Sequence, residues 1–186
     1  MMNKIKGPFE FLSRKTVYSN PWLEVYEDKV IRPGGREGYF GVVQMKAGSS
    51  VLAITDNNEA YLVKEYKYAI ERESVELMSG ALEENETPLD GARRELKEEL
   101  GLEARDWIDL GVVDPFTTLI SSPNYMFLAL GITEGKRNPD EGEVLEVLKV
   151  PFAEVVDMVM RSEISHSASC VLILKAQQYL HSLPQK

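Results

Sequence analysis

The chain has 186 residues, 44% hydrophobic and 27% charged, a length that fits one compact domain with a sizeable core and a composition that excludes disordered and fibrous classes. Its formal net charge of −9 argues against general nucleic-acid or anionic-membrane binding, both of which need a basic footprint. An anionic small substrate stays compatible, because metal ions at carboxylates can reverse the local charge. The single cysteine, Cys170, cannot form an intrachain disulfide, and Cys170-Val171-Leu172-Ile173-Leu174 reads as a buried helix position. Neither His166 nor His181 offers a paired metal motif, and no nucleophile elbow for a serine triad is present. Lys4 and Lys6 precede no apolar run, and no stretch approaches membrane-spanning length, so a cytoplasmic protein without a membrane partner is expected.

In chain order, Trp22-Leu23-Glu24-Val25-Tyr26 and Gly38-Tyr39-Phe40-Gly41-Val42-Val43 predict short strands broken by Asn20-Pro21 and Pro33-Gly34-Gly35. Residues 1–47 are therefore expected to form a small β region, and 48–186 the catalytic domain. Val51–Thr55 and Ala60–Tyr66 predict a hairpin across Asp56-Asn57-Asn58-Glu59. Glu73 to Met78 predicts one strand. Thr87 is placed to cap a helix that starts at Pro88, carries Asp90 in its first turn and runs to Leu100, with Gly101 just past the end. Strands follow around Trp107–Val113, Tyr125–Ile132 and Val144–Val150, then helices near Phe152–Met160 and Ser167–Leu180. This order predicts an α/β fold, a mixed sheet with helices packed on it.

On the predicted Pro88–Leu100 helix, Leu89, Ala92, Leu96 and Leu100 share an arc of about 80°, which faces a core. Glu95, Glu98 and Glu99 share a neighbouring arc of about 100°. Like charges at this spacing repel by roughly a few tenths of a kcal/mol per pair, so a purely structural helix would separate them. A hard divalent cation such as Mg²⁺, which takes oxygen ligands, would explain the cluster. The run Arg94–Glu99 alone also reads as a solvated acidic face screened by Arg93, Arg94 and Lys97.

The wider spacing is more specific: Gly80, five residues, Glu86, seven residues, then Arg94-Glu95-Leu96-Lys97-Glu98-Glu99-Leu100-Gly101-Leu102. It resembles the Nudix box at every fixed position. The resemblance covers about residues 48–180 and implies a Nudix α/β/α sandwich that hydrolyses a nucleoside diphosphate linked to another group, using Mg²⁺ or Mn²⁺. It implies Glu95, Glu99 and the backbone carbonyl of Ser79 as metal ligands, with Glu98 as a further one. Gly80, Glu86, Arg94 and Gly101 are the box's structural positions, with Glu86 and Arg94 expected to pair.

Four local features resemble the ADP-ribose pyrophosphatase and sugar-nucleotide branch of that family. Glu65-Tyr66-Lys67 is similar to a Gln-Tyr-Arg segment whose base meets substrate phosphate, although Lys67 lacks the bidentate fork of arginine; a lysine at a strand edge is the plainer reading. Glu76-Leu77-Met78-Ser79-Gly80 stands where the branch has Glu-Leu-Pro-Ala-Gly, which puts Glu76 beside the substrate and Met78 in place of a rigid proline. Asp140-Glu141-Gly142-Glu143-Val144-Leu145-Glu146-Val147 is similar to the acidic segment carrying the catalytic base. Glu143 is the first choice for that role, and Glu141, Glu98 and Glu146 are the alternatives. The leading β region resembles a domain that dimerises and completes the partner's pocket, where Trp22, then Tyr39 and Phe40, would stack on a base or serve as core.

One departure bears on the substrate. The branch typically has a proline about sixteen residues after the box, where this chain has Thr118; Pro115 and Pro123 miss the register, and Ser122-Pro123-Asn124 has lost the glycine of Ser-Pro-Gly. The implied reaction is cleavage of a nucleoside diphosphate sugar by a homodimer, ADP-ribose first, to AMP and ribose 5-phosphate. GDP-mannose, other sugar nucleotides and dinucleoside polyphosphates follow. A Nudix-fold module that binds a nucleotide without turnover is the alternative from another class.

Overall fold

The structure is a computed structural model and describes residues 4–138 and 145–184. The first strands are β1 (Lys4–Lys6), β2 (Phe9–Ser19), β3 (Leu23–Ile31) and β4 (Glu37–Met45). Then come β5 (Gly48–Ile54), β6 (Glu59–Lys67), β7 (Arg72–Glu76), β8 (Met78–Ala81) and helix α1 (Pro88–Leu100). The remainder is β9 (Leu102–Val113), β10 (Ile120–Ser121), β11 (Asn124–Glu134), β12 (Glu146–Pro151), α2 (Phe152–Met160) and α3 (Ser167–Ser182). These elements form two compact units, Met1–Lys46 with Asp114–Pro123, and Ala47–Val113 with Asn124–Lys186.

The first unit is a sheet in the order β1-β2-β3-β4-β10. Antiparallel neighbours follow from the Asn20-Pro21 and Pro33-Gly34-Gly35 breaks, and β10 adds on in parallel through Ile120↔Val43 and Ser121↔Gln44. A two-residue pairing of this kind has no periodicity to betray it in the sequence. Asp28 on β3 is only 4% exposed. Its carboxylate accepts from Arg14 Nε at 2.6 Å and Nη2 at 2.8 Å, and from Lys6 Nζ at 3.0 Å, so one buried charge ties β1, β2 and β3 together. Phe9 and Phe40 meet edge to face with centroids 5.1 Å apart, which makes Phe40 a packing residue. Trp22 lies in the turn before β3 and is 71% exposed, so it is a surface aromatic here and not core.

The second unit is a sandwich about a mixed sheet in the order β12-β6-β5-β11-β9, with β7 on β6 and β8 on β5. β11 runs parallel to β5 and antiparallel to β9. Alternation along β5 sends Val51 and Ala53 to one face, against Ala92, Leu96 and Leu100 of α1. It sends Leu52 and Ile54 to the other, against Val155 of α2 and Leu172 and Ile173 of α3. The predicted hairpin turns through Asn58, whose φ of 59° is the left-handed conformation that Asn tolerates.

The sequence predicts a single strand over Glu73–Met78, and the chain forms two. β7 pairs with β6 through Glu76↔Val63, the ladder breaks at Leu77, and β8 pairs with β5 through Met78↔Val51. A continuous apolar pattern cannot signal a change of partner. The Leu77 N–H, having left its ladder, donates to Ser169 Oγ of α3 at 2.9 Å.

α1 has the predicted bounds. Thr87 accepts from the Asp90 N–H at 3.2 Å, Pro88 opens the helix, and Gly101 ends it at φ 66°, its N–H reaching Leu96 and Lys97 carbonyls. A Cβ at Gly101 would come within 2.8 Å of the Arg137 backbone nitrogen, so glycine is needed there for space as well as for conformation.

Candidate active site

The acidic arc of α1 lies against the β8 strand, and the two form the candidate site. The three carboxylates are unequally placed: Glu99 is 6% exposed, the Glu95 side chain 14%, and the Glu98 side chain 44%. Glu99 falls at the border between the apolar and acidic arcs, and the packing of α1 draws it inward. A Cβ on Gly80 would run into the Glu95 carboxylate, so glycine lets that side chain lie directly on β8, and any larger residue would push it aside. Ser79 precedes it, pairing in register with Ser50 and meeting its hydroxyl Oγ to Oγ at 2.8 Å.

Arg94 braces this region. Its Nε and Nη2 donate to Glu86 at 2.9 and 3.1 Å, its Nη1 to Glu95 at 2.9 Å and Glu98 at 3.2 Å, and Nη2 also to the Ala81 carbonyl at 3.1 Å. Glu86 in addition accepts the Glu83 N–H at 2.9 Å. One guanidinium therefore clamps the loop between β8 and α1 onto the helix. The Arg94 hydrogen bonds hold the Glu86 carboxyl below the ordinary carboxylate range, with burial opposing, and Arg94 in turn is raised, by Glu86 first. Because the folded Glu86 value is depressed, its stabilising contribution is complete above the unfolded carboxylate pKa of about 4.3 and is lost as pH falls through the depressed value. We therefore expect Glu86→Gln to lower stability at neutral pH and to flatten its fall below about pH 4.5, as read from urea midpoints across a pH series.

Beyond Gly101 the chain returns to the end of α1. Gly135 N–H donates to the Gly101 carbonyl at 2.6 Å, Arg137 Nε to the Glu99 carbonyl at 2.7 Å, and Asn138 N–H to the Glu98 carbonyl at 2.9 Å. These bonds satisfy carbonyls that a helix C-terminus leaves open. Glu143, the first choice for a base, and its alternative Glu141 lie outside the described residues. Glu146 opens β12, 63% exposed, where its ion-pair neighbour is Lys64 Nζ at 3.9 Å.

The residues expected at the substrate fall into two groups. Lys67, last in β6, pairs with Glu65 at 2.6 Å and lies 3.9 Å from Glu76 Oε2, so the structure brings Lys67 and Glu76 together. Trp22 belongs to the first unit. Two residues to which the sequence assigns no role, His166 and Ser169, join the Lys67–Glu76 group: His166 Nδ1 is 3.5 Å from Glu76 Oε2 and 2.9 Å from Ser169 Oγ. Burial pushes the His166 imidazole down, Glu76 raises it and Lys67 lowers it further, which leaves it largely neutral near pH 7. No spacing rule flags a lone histidine before a helix; only the contact across the sheet shows it.

Carboxylate oxygens and a strand carbonyl are the donors a hard divalent cation takes, so the chemistry of Glu95, Glu98, Glu99 and β8 fits such an ion. Among the described residues, no three His, Cys, Asp or Glu side chains converge into a ready-made metal cluster. Arg94 holds Glu95 and Glu98 instead.

A layered sandwich whose capped acidic helix has a loop clamped onto it has counterparts among known proteins. The NUDIX domain model matches residues 45–168, and the model of a nucleoside diphosphate sugar hydrolase N-terminal domain matches residues 10–43. The chain belongs to the Nudix family. It is 29% identical over 91% of its length to an ADP-ribose pyrophosphatase of Bacillus subtilis (strain 168), of which 90% is covered. It is 30% identical over 89% of its length to an ADP-ribose pyrophosphatase of Mycobacterium tuberculosis (strain ATCC 25618 / H37Rv), of which 82% is covered. Its fold superimposes on the crystal structure of an ADP compounds hydrolase with a TM-score of 0.83 at 20% identity, covering 96% of this chain and 97% of that one. Family membership supports a pyrophosphate hydrolase acting on a nucleotide, and implies a divalent metal. No helix among the described residues is long and apolar enough to cross a membrane.

Proposed function

We propose that the protein hydrolyses the diphosphate of a nucleoside diphosphate sugar, with ADP-ribose as the favoured substrate. The observation that supports this reading is the packing of β8 on α1, which brings Gly80 against the Glu95 carboxylate, one helical turn from the buried Glu99. The names of the two bacterial relatives and of the N-terminal model support a sugar-nucleotide substrate. Glu95, Glu98, Glu99 and the Ser79 carbonyl would hold Mg²⁺, or Mn²⁺, which when bound stabilises negative charge on the diphosphate and acidifies water. Lys67 binds a phosphate oxygen as a point charge, with Glu65 bonded to it and Glu76 beside it. Glu143 takes the proton of the attacking water. Asn138, five residues before it, is anchored on the Glu98 carbonyl. Water adds at phosphorus as the bridging P–O bond breaks, which turns ADP-ribose into AMP and ribose 5-phosphate.

We also assign residues 1–47 to a dimerising β region, joined by the Asp114–Pro123 segment, and the rest of residues 48–186 to the hydrolase domain. In a cytoplasmic homodimer of this kind, the exposed Trp22 would stack on the partner's base. Thr118 favours keeping a second reading, cleavage of GDP-mannose or another nucleotide, and a binding module without turnover is the alternative outside catalysis. The test is phosphatase-coupled phosphate release from ADP-ribose, GDP-mannose, other sugar nucleotides and dinucleoside polyphosphates, with and without Mg²⁺ or Mn²⁺. We expect metal-dependent turnover, highest on ADP-ribose. A higher kcat/KM on GDP-mannose would transfer the assignment to the second reading, and tight metal-independent binding without turnover would establish the module.

A further inference from the structure

Leu77 is the single residue between β7 and β8, where the chain changes sheet partner. Its N–H is held by Ser169 Oγ, which comes from α3, 92 residues away in sequence, and sits 2.9 Å from it. Ser169 is 0% exposed, an uncommon environment for a serine unless its hydroxyl is used. The same Oγ lies 2.9 Å from His166 Nδ1, which lies 3.5 Å from Glu76 Oε2, itself 3.9 Å from Lys67 Nζ. On the other side of Leu77, Ser79 Oγ donates to the Leu77 carbonyl at 3.3 Å, and Gly80 follows. One backbone residue is thus the joint between the phosphate-side pair Lys67 and Glu76 and the metal-side residues Ser79 and Gly80, and the first turn of α3 fastens it.

We propose that Ser169 and His166 are positioning residues: Ser169 sets the β7–β8 crossover that places the Ser79 carbonyl, and His166 sets Glu76 and, through it, Lys67. The assignment rests on the roles given to Ser79, Glu76 and Lys67 under the proposed function. Removing the Ser169 hydroxyl leaves a buried backbone donor unsatisfied, and such a donor forces local rearrangement. Groups that orient a ligand from behind typically carry about a tenfold to hundredfold effect on metal affinity or activity.

The variants are Ser169→Ala, Ser169→Thr, which keeps the hydroxyl, and His166→Ala. The measurements are amide hydrogen exchange over Leu77–Gly80, Mn²⁺ affinity by electron paramagnetic resonance without substrate, and kcat and KM. In Ser169→Ala we expect faster exchange over Leu77–Gly80, Mn²⁺ affinity weakened about tenfold and kcat lowered by a similar factor, with Ser169→Thr restoring most of each. His166→Ala should raise KM and leave Mn²⁺ affinity unchanged. Unchanged exchange and Mn²⁺ affinity in a folded Ser169→Ala protein overturns the proposal. If the wild-type protein itself binds no Mn²⁺, the metal assignment fails instead, and exchange over Leu77–Gly80 alone decides whether Ser169 holds the joint.

Discussion

Glu99→Gln should abolish metal-dependent turnover while leaving the fold in place. Glu99 is 6% exposed between the core stripe of α1 and the acidic arc, and its backbone carbonyl is fixed by Arg137. Glutamine keeps the shape of the side chain and removes its negative charge, so the buried side chain still fills its place while the oxygen donor a divalent ion prefers is weakened. We expect kcat/KM to fall by about 10³-fold, roughly 4 kcal/mol of transition-state stabilisation. The melting temperature should stay within a few degrees of the wild-type value, since an isosteric change opens no cavity. Steady-state kinetics and thermal unfolding on the same preparation check both halves. Activity within a few-fold of wild type would move the chemistry away from this helix.

Arg94→Ala should show the opposite balance, with stability lost first. The guanidinium makes five hydrogen bonds, to Glu86 twice, Glu95, Glu98 and the Ala81 carbonyl, and its side chain is 23% exposed. Alanine removes the cation these bonds share and raises the mutual repulsion of Glu86, Glu95 and Glu98 in a partly buried setting. The expected loss is about 3 kcal/mol, or roughly 10 °C in melting temperature for a chain of this size. Arg94→Lys should recover less than half, because an ammonium group cannot reproduce a planar fork that grips Glu86 through two nitrogens while reaching Glu95 and Glu98. A melting temperature within about 2 °C of wild type in Arg94→Ala would mean that the clamp contributes nothing to the fold.

The parts legible in the sequence are those coded by local chemistry. Thr87, Pro88, Asp90 and Gly101 mark both ends of α1 because capping and positive φ restrict residue type at single positions. The alternation on β5 and the apolar stripe of α1 place residues on faces because strand and helix periods are fixed. The strands predicted around Trp22–Tyr26 and Gly38–Val43 are shorter than β3 and β4, since a twisted sheet extends pairing through polar residues such as Glu27 and Lys29 that carry no apolar signal. The break at Leu77 was hidden because partner exchange leaves the hydrophobic pattern intact.

The carboxylates show the same division within one helix. Their shared arc followed from the 3.6-residue period, but the burial of Glu99, the seating of Glu95 on Gly80 and the capture of Glu98 by Arg94 depend on where β8 and the Ala81–Glu86 loop come to lie. The sequence by itself determined the box, its helix, the layered fold class and the oxygen-only donor set, since each depends on residue type at a fixed spacing. Only the tertiary structure decided that Lys67 meets Glu76, that His166 and Ser169 stand behind them, and that α3 holds the strand carrying Ser79. Those contacts join residues as many as 92 positions apart, and no local preference constrains pairs that meet only when the sheet and its helices pack.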